Sequence, residues 1–121
     1  MKSESRAAVA YIAGRLATGA NARSVFDYSR SKYINFTGSI SPNDVRVFDY
    51  EFNGHITGRA SGSRFNLFDY HRGAHIQLNM TGDRFTGFDY GTGTHFSGTV
   101  RSNRVNVYDY GESGYFDYAL Q

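Results

Sequence analysis

Aspartate, histidine and arginine recur in this chain at a spacing of about 20 residues, so the same chemical groups are presented several times. Carboxylates and imidazoles can ligate metals or transfer protons, and guanidinium groups can bind phosphates. The recurring side chains are Asp27, Asp49, Asp69, Asp89 and Asp109, with His55, His75 and His95 and with Arg64, Arg84 and Arg104. A catalytic site needs different residues in different roles, so this uniform repetition argues against an enzyme.

Each of the five repeated aspartates is the middle residue of an aromatic triplet, as in Phe88-Asp89-Tyr90. We interpret them as turn residues, because an Asp just before a loop accepts backbone N–H bonds from that loop and fixes its conformation. The alternative is a rim of carboxylates that binds a cation. Ca²⁺ takes six to eight oxygen ligands within about 2.6 Å, and carboxylates on separate hairpins converge only in a very narrow barrel. We therefore predict no metal site and no cofactor.

The repeated histidines could form a symmetric zinc site, but side chains on neighbouring hairpins lie roughly 10 Å apart, too far to share one ion. We expect each His instead to stack on or bond to a neighbouring Tyr of the triplet. The repeated arginines, beside aromatic rings, could hold phosphates and stacked bases, or they could solvate the rim of a sheet. The net charge of only +2 favours the second interpretation and argues against nucleic acid as a partner.

Alternating apolar and polar residues from Arg23 onward predict short β-strands. In the clearest unit, we predict a strand over residues 64–70, a loop over 71–74, a returning strand over 75–80 and a tight turn over 81–83. The chain contains five such units, so the pattern predicts five hairpins and about ten strands.

A period of about 20 residues is compatible with a β-solenoid or with an up-and-down antiparallel meander. Stacked solenoid coils would bring the repeated aspartates within ~5 Å of one another, where like charges repel. In a ring of hairpins an intervening strand separates them. We therefore predict an all-β up-and-down meander, closed into a barrel because closure removes exposed edge strands.

Residues 3–18 are predicted to form an N-terminal α-helix, with Ser3 or Ser5 as N-cap and Gly19 at its end. Its apolar residues at helical spacing are Val9, Ile12, Ala13 and Leu16. We expect this helix to pack on the sheet or to cap an open end of it. The alternative is a helix that binds a membrane surface or a partner.

The chain of 121 residues, without Cys, fits one compact domain, with residues 1–22 as helix and linker and residues 23–121 as the hairpin repeats. No apolar run reaches the roughly 18 residues of a membrane span. The N-terminus has features of a signal peptide, but Glu4 and Arg15 interrupt the required pattern. The sequence therefore favours a cytoplasmic location, with secretion as the alternative.

Two-residue periodicity assigns the strand residues to two faces of the sheet. With pairing across a four-residue loop, we predict Tyr70 opposite His75 and Asp69 opposite Ile76. One face is apolar except for the aspartates, and we interpret it as the main core. The other combines large rings with polar groups and supplies the candidate binding residues. These are Phe48, Tyr50, His55, Phe68, Tyr70, His75, Phe88, Tyr90, His95, Tyr108 and Tyr110, together with Arg64, Arg84 and Arg104.

Consecutive hairpins of about 20 residues with an aromatic signature, over residues 24 to 120, resemble the bacterial β-flower proteins, small pseudo-symmetric barrels with hairpin petals. What the resemblance implies is an apolar central pore and a lipid or membrane role. It rests on architecture and period, and the triplet itself matches no motif of that family.

The repeated aromatic face leads to our functional hypothesis, a non-enzymatic binding or self-assembly module. Self-association is the simplest partnership, because a symmetric set of patches is compatible with a symmetric interface. One alternative is a carrier of a small apolar or lipid-like ligand inside the barrel. A second alternative is the binding of single-stranded nucleic acid or carbohydrate on the aromatic and arginine face.

Overall fold

A computed structural model describes all residues, 1–121. It contains one helix, α1 (Ser3–Thr18), followed by ten strands. The strands are β1 (Ser24–Asp27), β2 (Lys32–Ser41), β3 (Asp44–Asp49), β4 (Gly54–Ser61), β5 (Arg64–Asp69), β6 (Ala74–Thr81), β7 (Arg84–Asp89), β8 (Thr94–Arg101), β9 (Arg104–Asp109) and β10 (Gly114–Leu120). Neighbours along the chain pair antiparallel, and β1 pairs with β10 to close the barrel. The predicted all-β meander of five hairpins, closed into a barrel and preceded by a helix, is confirmed.

Helix α1 runs through the interior of the barrel. It contacts β1, β2, β6, β8, β9 and β10, and every residue from Ser5 to Gly14 is buried. Tyr11 stacks on the inward ring of Phe36, with ring centroids 4.1 Å apart. The helix therefore packs on the sheet, which is the first of the two expectations, but it does so on the inner face of the closed barrel and does not cap an open end.

The sequence of α1 explains this placement. Residues 7–14 are alanine, valine, tyrosine, isoleucine and glycine, so this segment has no charged side, and a helix that is apolar all round is buried. Side chains alone fill a barrel of about eight strands, whereas this barrel has ten and leaves room for a helix. Small residues keep the helix narrow: a Cβ at Gly14 would lie 2.9 Å from Val105 and 3.0 Å from Leu120.

The two ends of α1 differ in how well the sequence predicts them. The helix ends at Gly19, whose φ of 68° is left-handed, as predicted. At the other end, Lys2 precedes the first turn and no side chain caps the helix, so the predicted N-cap is wrong. Ser3 bonds to the neighbouring Glu4 instead, and Ser5 is buried. The physical reason is that buried ion pairs hold this end of the helix in the barrel.

The hairpin register differs from the prediction by two residues. Asp69 lies opposite Ala74 and not opposite Ile76. Tyr70 begins the loop and does not pair with His75, because the Asp69 carboxylate accepts N–H bonds from the loop and starts the turn early. Side chains alternate along a strand, so a shift of two residues leaves each on its predicted face. The apolar face points inward and forms the core, and the aromatic face points outward.

Gly98 on the inner wall permits a close contact across two strands. A Cβ at this position would overlap the Phe85 ring and the backbone oxygen of Asn106. We expect Gly98→Ala to lower the free energy of unfolding by about 1–3 kcal/mol, because it overpacks the core. Urea denaturation measures this, with Thr99→Ala on the exposed face of the same strand as control, expected to change stability by less than about 0.5 kcal/mol. Equal effects of the two substitutions would contradict the prediction.

Candidate functional site

The outer wall carries one cluster of three aromatic rings per hairpin. Within each cluster the rings meet edge to face, with centroids 4.7–5.0 Å apart and interplanar angles of 63–80°. The clusters are Phe26, Tyr28 and Tyr33; Phe48, Tyr50 and His55; Phe68, Tyr70 and His75; Phe88, Tyr90 and His95; and Tyr108, Tyr110 and Tyr115. Aromatic quadrupoles favour this geometry, and in each cluster the first ring of the triplet contacts the other two.

The strand register assembles each cluster. His75 lies directly across from Phe68 in the neighbouring strand, and Tyr70 follows Phe68 by two residues on the same face. The ring of His75 therefore contacts Phe68, 4.8 Å between centroids. We expected each His to stack on the triplet Tyr, but the two-residue shift in register makes the triplet Phe its partner. The Phe is half-buried, and the Tyr and His are exposed.

Neutral polar side chains separate the clusters around the outer wall. Directly across from the first ring of a triplet lie Thr37 (opposite Phe48), Thr57 (opposite Phe68), Gln77 (opposite Phe88) and Ser97 (opposite Tyr108). The Tyr90 hydroxyl lies 3.5 Å from Gln77 Oε1, and the Tyr50 hydroxyl lies 3.4 Å from Thr37 Oγ1. We call the five clusters and these four residues the aromatic belt. It alternates flat aromatic surface with hydrogen-bonding groups.

Two depressions lie side by side on the belt between β6 and β9, with volumes of about 690 and 710 Å³. They share Thr86, Ser97 and Tyr110, so we treat them as one surface, the β6–β9 groove. Its other lining residues are Gln77, Asn79, Arg84, Phe85, Gly87, Phe88, Tyr90, His95, Phe96, Gly98, Thr99, Asn106, Tyr108 and Tyr115. The clusters of the fourth and fifth hairpins therefore form its walls.

The repeated histidines and arginines do not converge on a shared site. The histidines belong to three separate clusters, and no group of three or more His, Asp or Glu side chains is placed to hold a metal ion. Arg64 donates to Asn79, Arg84 lines the groove, and Arg104 lies over the Tyr28 ring, 4.7 Å from its centroid. Each arginine thus has its own surroundings on the exposed wall.

The five repeated aspartates lie inside the barrel, where their strands meet the loops, and all are buried. Each accepts the backbone N–H of the residue two positions further on, at 2.9–3.0 Å. An Asx-type bond of this kind fixes the start of a loop. The carboxylates are therefore part of the turns and not of the aromatic belt.

Most of these buried carboxylates also have a cation nearby. The ion pairs are Asp27 with Arg30 at 2.7 Å, Asp69 and Asp89 with Arg72 at 3.3 and 2.8 Å, and Asp109 with Arg6 at 2.9 Å and with the Met1 amino group at 3.1 Å. Burial by itself would raise the pKa of Asp109, but hydrogen bonds from Arg6 and the amino terminus outweigh it and lower that pKa below its ordinary value. The loop end of the barrel is thus a network of compensated charges.

Asp49 is the exception in this network. The position three residues after the aspartate is Arg30 in the first hairpin but Phe52 in the second. No cation pairs with Asp49, and its Oδ2 atom has no hydrogen-bond partner. Burial raises the pKa of Asp49 to about 7, and the negative charges of Glu51 and Asp69 contribute in the same direction.

Sequence reasoning placed polar groups on the aromatic face but did not include them among the candidate binding residues, because it singled out rings and charges. Thr86 and Ser97 lie opposite each other between the aromatic walls. A signal was present: the residue two positions after the repeated His is neutral and polar each time, as Thr57, Gln77 and Ser97. That Thr86 would join them depends on strand stagger, which the sequence does not reveal.

Comparisons of the chain with protein-family models, with curated proteins and with solved structures gave no match. No helix in the structure combines the length and the apolar character needed to cross a membrane. A fold by itself does not identify a function, so we infer the function from the chemistry of the belt.

Proposed function

We propose that this chain is a non-enzymatic binding module whose contact surface is the aromatic belt. The observation that carries the proposal is the fivefold recurrence, on the outer wall, of a cluster in which two of the three rings are exposed. The loop tyrosines Tyr50, Tyr70, Tyr90 and Tyr110 are 50–62% exposed. Exposed rings that neighbouring rings support and polar groups surround are typical of contact surfaces.

The filled interior supports a binding surface on the outside. Helix α1 and the inward side chains occupy the space where an apolar or lipid-like ligand would lie. Carriage inside the barrel would require the helix to leave and expose its buried residues to water, which is unfavourable. Binding on the belt requires no such rearrangement.

The arrangement of the five aromatic clusters around the barrel wall indicates which kind of partner can use them all. Equivalent patches on the wall point in different directions, so further copies of the chain bound to each patch would form an open assembly. A closed dimer would use one patch and leave the others exposed. An extended ligand, or several small ones, makes use of every cluster. Self-association stays an alternative that the same experiment measures.

The binding proposal is tested with a variant that carries Tyr50→Ser, Tyr70→Ser, Tyr90→Ser and Tyr110→Ser. We expect the unmodified chain to be retained by at least one of three probes: neutral polysaccharide gels, phosphatidylcholine vesicles and immobilised chain. The variant should bind that probe at least about tenfold more weakly, because aromatic side chains dominate contact energies.

The control is Arg101→Ser, which changes an exposed residue outside the belt and should bind as the unmodified chain does. Circular dichroism checks that each variant keeps the barrel. Absence of retention on all three probes, or equal retention of the tyrosine variant, would contradict the proposed function.

A further inference from the structure

We infer that the β6–β9 groove binds a neutral oligosaccharide chain. The inference rests on the proposed function and names the ligand class for one part of the belt. Three features carry it: aromatic walls a short distance apart, a floor of neutral hydrogen-bonding groups between them, and a lining without carboxylates.

The walls offer flat apolar surfaces at a spacing that a short sugar chain spans. Tyr90 follows β7 and Tyr110 follows β9, so the two rings are two strands apart, or roughly 10 Å. They are 60% and 57% exposed, and each is held by the first ring of its triplet, with centroids 4.8 and 4.7 Å apart. A pyranose has an apolar face of C–H groups that packs flat on an aromatic ring. Two successive platforms therefore favour a chain over a single sugar.

The floor matches the hydroxyl rim of a sugar. Ser97 and Thr86 lie opposite each other between the walls, and Gln77 lies across from Phe88 on the adjoining strand. Hydroxyl and amide groups both donate and accept hydrogen bonds, as sugar hydroxyls do. A hydrocarbon chain would cover these polar groups without bonding to them, which is unfavourable. The floor therefore favours a hydroxylated ligand over a lipid tail.

The charge of the groove selects against ionic ligands. Its lining contains no carboxylate, and the one guanidinium belongs to Arg84 at the start of β7. A nucleic acid strand needs a groove with several cations along its phosphates. The depression on the second hairpin is different, because Asp44, Arg46 and Arg59 line it. Because the two depressions differ in the charge of their lining, we assign the neutral oligosaccharide to the β6–β9 groove.

The test is affinity electrophoresis of the full chain in gels that contain a soluble cellulose derivative, a mixed-linkage glucan or a mannan. Tyr90→Ala should weaken retention about tenfold or more on the polysaccharide that binds. His71→Ala is the matched control, because His71 is exposed and its ring stacks on Phe52 with centroids 4.5 Å apart, yet it belongs neither to the belt nor to the groove. Its effect should stay below about twofold.

Three further measurements test the groove as the binding site. Ser97→Lys places a bulky charge on the floor without removing a ring, and it should also abolish retention, while circular dichroism confirms that the barrel is intact. Binding should change little with salt concentration, unlike contacts to phosphates. A hexasaccharide of the binding polysaccharide should compete, and its monosaccharide should not.

The outcomes separate this inference from the proposed function. Retention on vesicles or on immobilised chain, with none on any of the three polysaccharides, would overturn the oligosaccharide inference and leave the binding module in place. Equal losses in Tyr90→Ala and His71→Ala would overturn the groove as the site. Absence of retention on every probe would contradict both.

Discussion

Replacing Asp109 with Asn is expected to lower the free energy of unfolding by about 3–5 kcal/mol, because two buried cations lose their counter-charge. Asp109 is 0% exposed and lies 2.9 Å from Arg6 and 3.1 Å from the Met1 amino group. Asparagine keeps the shape of the side chain and can still accept the N–H bond of Gly111. The variant therefore tests the charge and not the turn. Urea denaturation at neutral pH measures the change.

The matched control for the buried pair is Asp44→Asn. It removes one charge from an exposed pair with Arg46, and exposed pairs contribute less than about 1 kcal/mol. The stability from Asp109 has a defined pH dependence, because the folded pKa lies below the ordinary value. It is present above the ordinary pKa of Asp and is lost as the pH falls through the folded pKa. Equal costs for the two variants would show that the buried charge does not matter.

Replacing Asp49 with Asn is expected to stabilise the chain at pH 8 and to change its stability little at pH 4. Burial, together with the charges of Glu51 and Asp69, raises the pKa of Asp49 to about 7, whereas Asp in an unfolded chain titrates near about 3.9. Between these values the folded state retains a proton that the unfolded state has lost. The contribution of Asp49 to the free energy of unfolding therefore falls by roughly 4 kcal/mol as the pH rises through this window, and it is constant above the window.

Urea denaturation of the unmodified chain and of Asp49→Asn is carried out at several pH values between 4 and 8. The difference between their free energies of unfolding gives the contribution of Asp49. Asp27→Asn is the control, because Arg30 and Ser29 outweigh burial and lower the pKa of Asp27. The contribution of Asp27 is present above the ordinary pKa of Asp and is lost only as the pH falls through the folded value, so its pH dependence has the opposite sign. A stability difference between Asp49→Asn and the unmodified chain that stays constant across this range would show that Asp49 does not titrate there.

Much of the barrel could be predicted because its pattern is local. The fixed triplet spacing and two-residue alternation identify five hairpins and sort each side chain to one face. Even the incorrect pairing of Tyr70 with His75 left both on the correct face, since the error was two residues. The placement of Leu67 in the core and of Phe68 toward the outside follows from the same alternation.

The helix shows what local sequence patterns predict and what they do not predict. Its ends at Ser3 and Thr18 agree with the predicted range, although the predicted N-cap is absent, because helical periodicity and the stop at Gly19 are properties of neighbouring residues. Its place inside the barrel depends on the interior width that ten strands create together. No local stretch of sequence determines that width. The small residues around Gly14 therefore indicate a helix inside the barrel only once the barrel itself is known.

The repeated Asp residues and aromatic rings also have some properties that the sequence determines and others that only the tertiary structure decides. The sequence by itself determined that aspartates would alternate with aromatic rings and lie on opposite faces, because that requires only a period of two. Only the tertiary structure decided that Arg6 forms an ion pair with Asp109 and that no cation pairs with Asp49. It also decided that Thr86 and Ser97 form one floor between two clusters. Those relations join residues distant in the chain, and strand stagger and closure of the barrel set them.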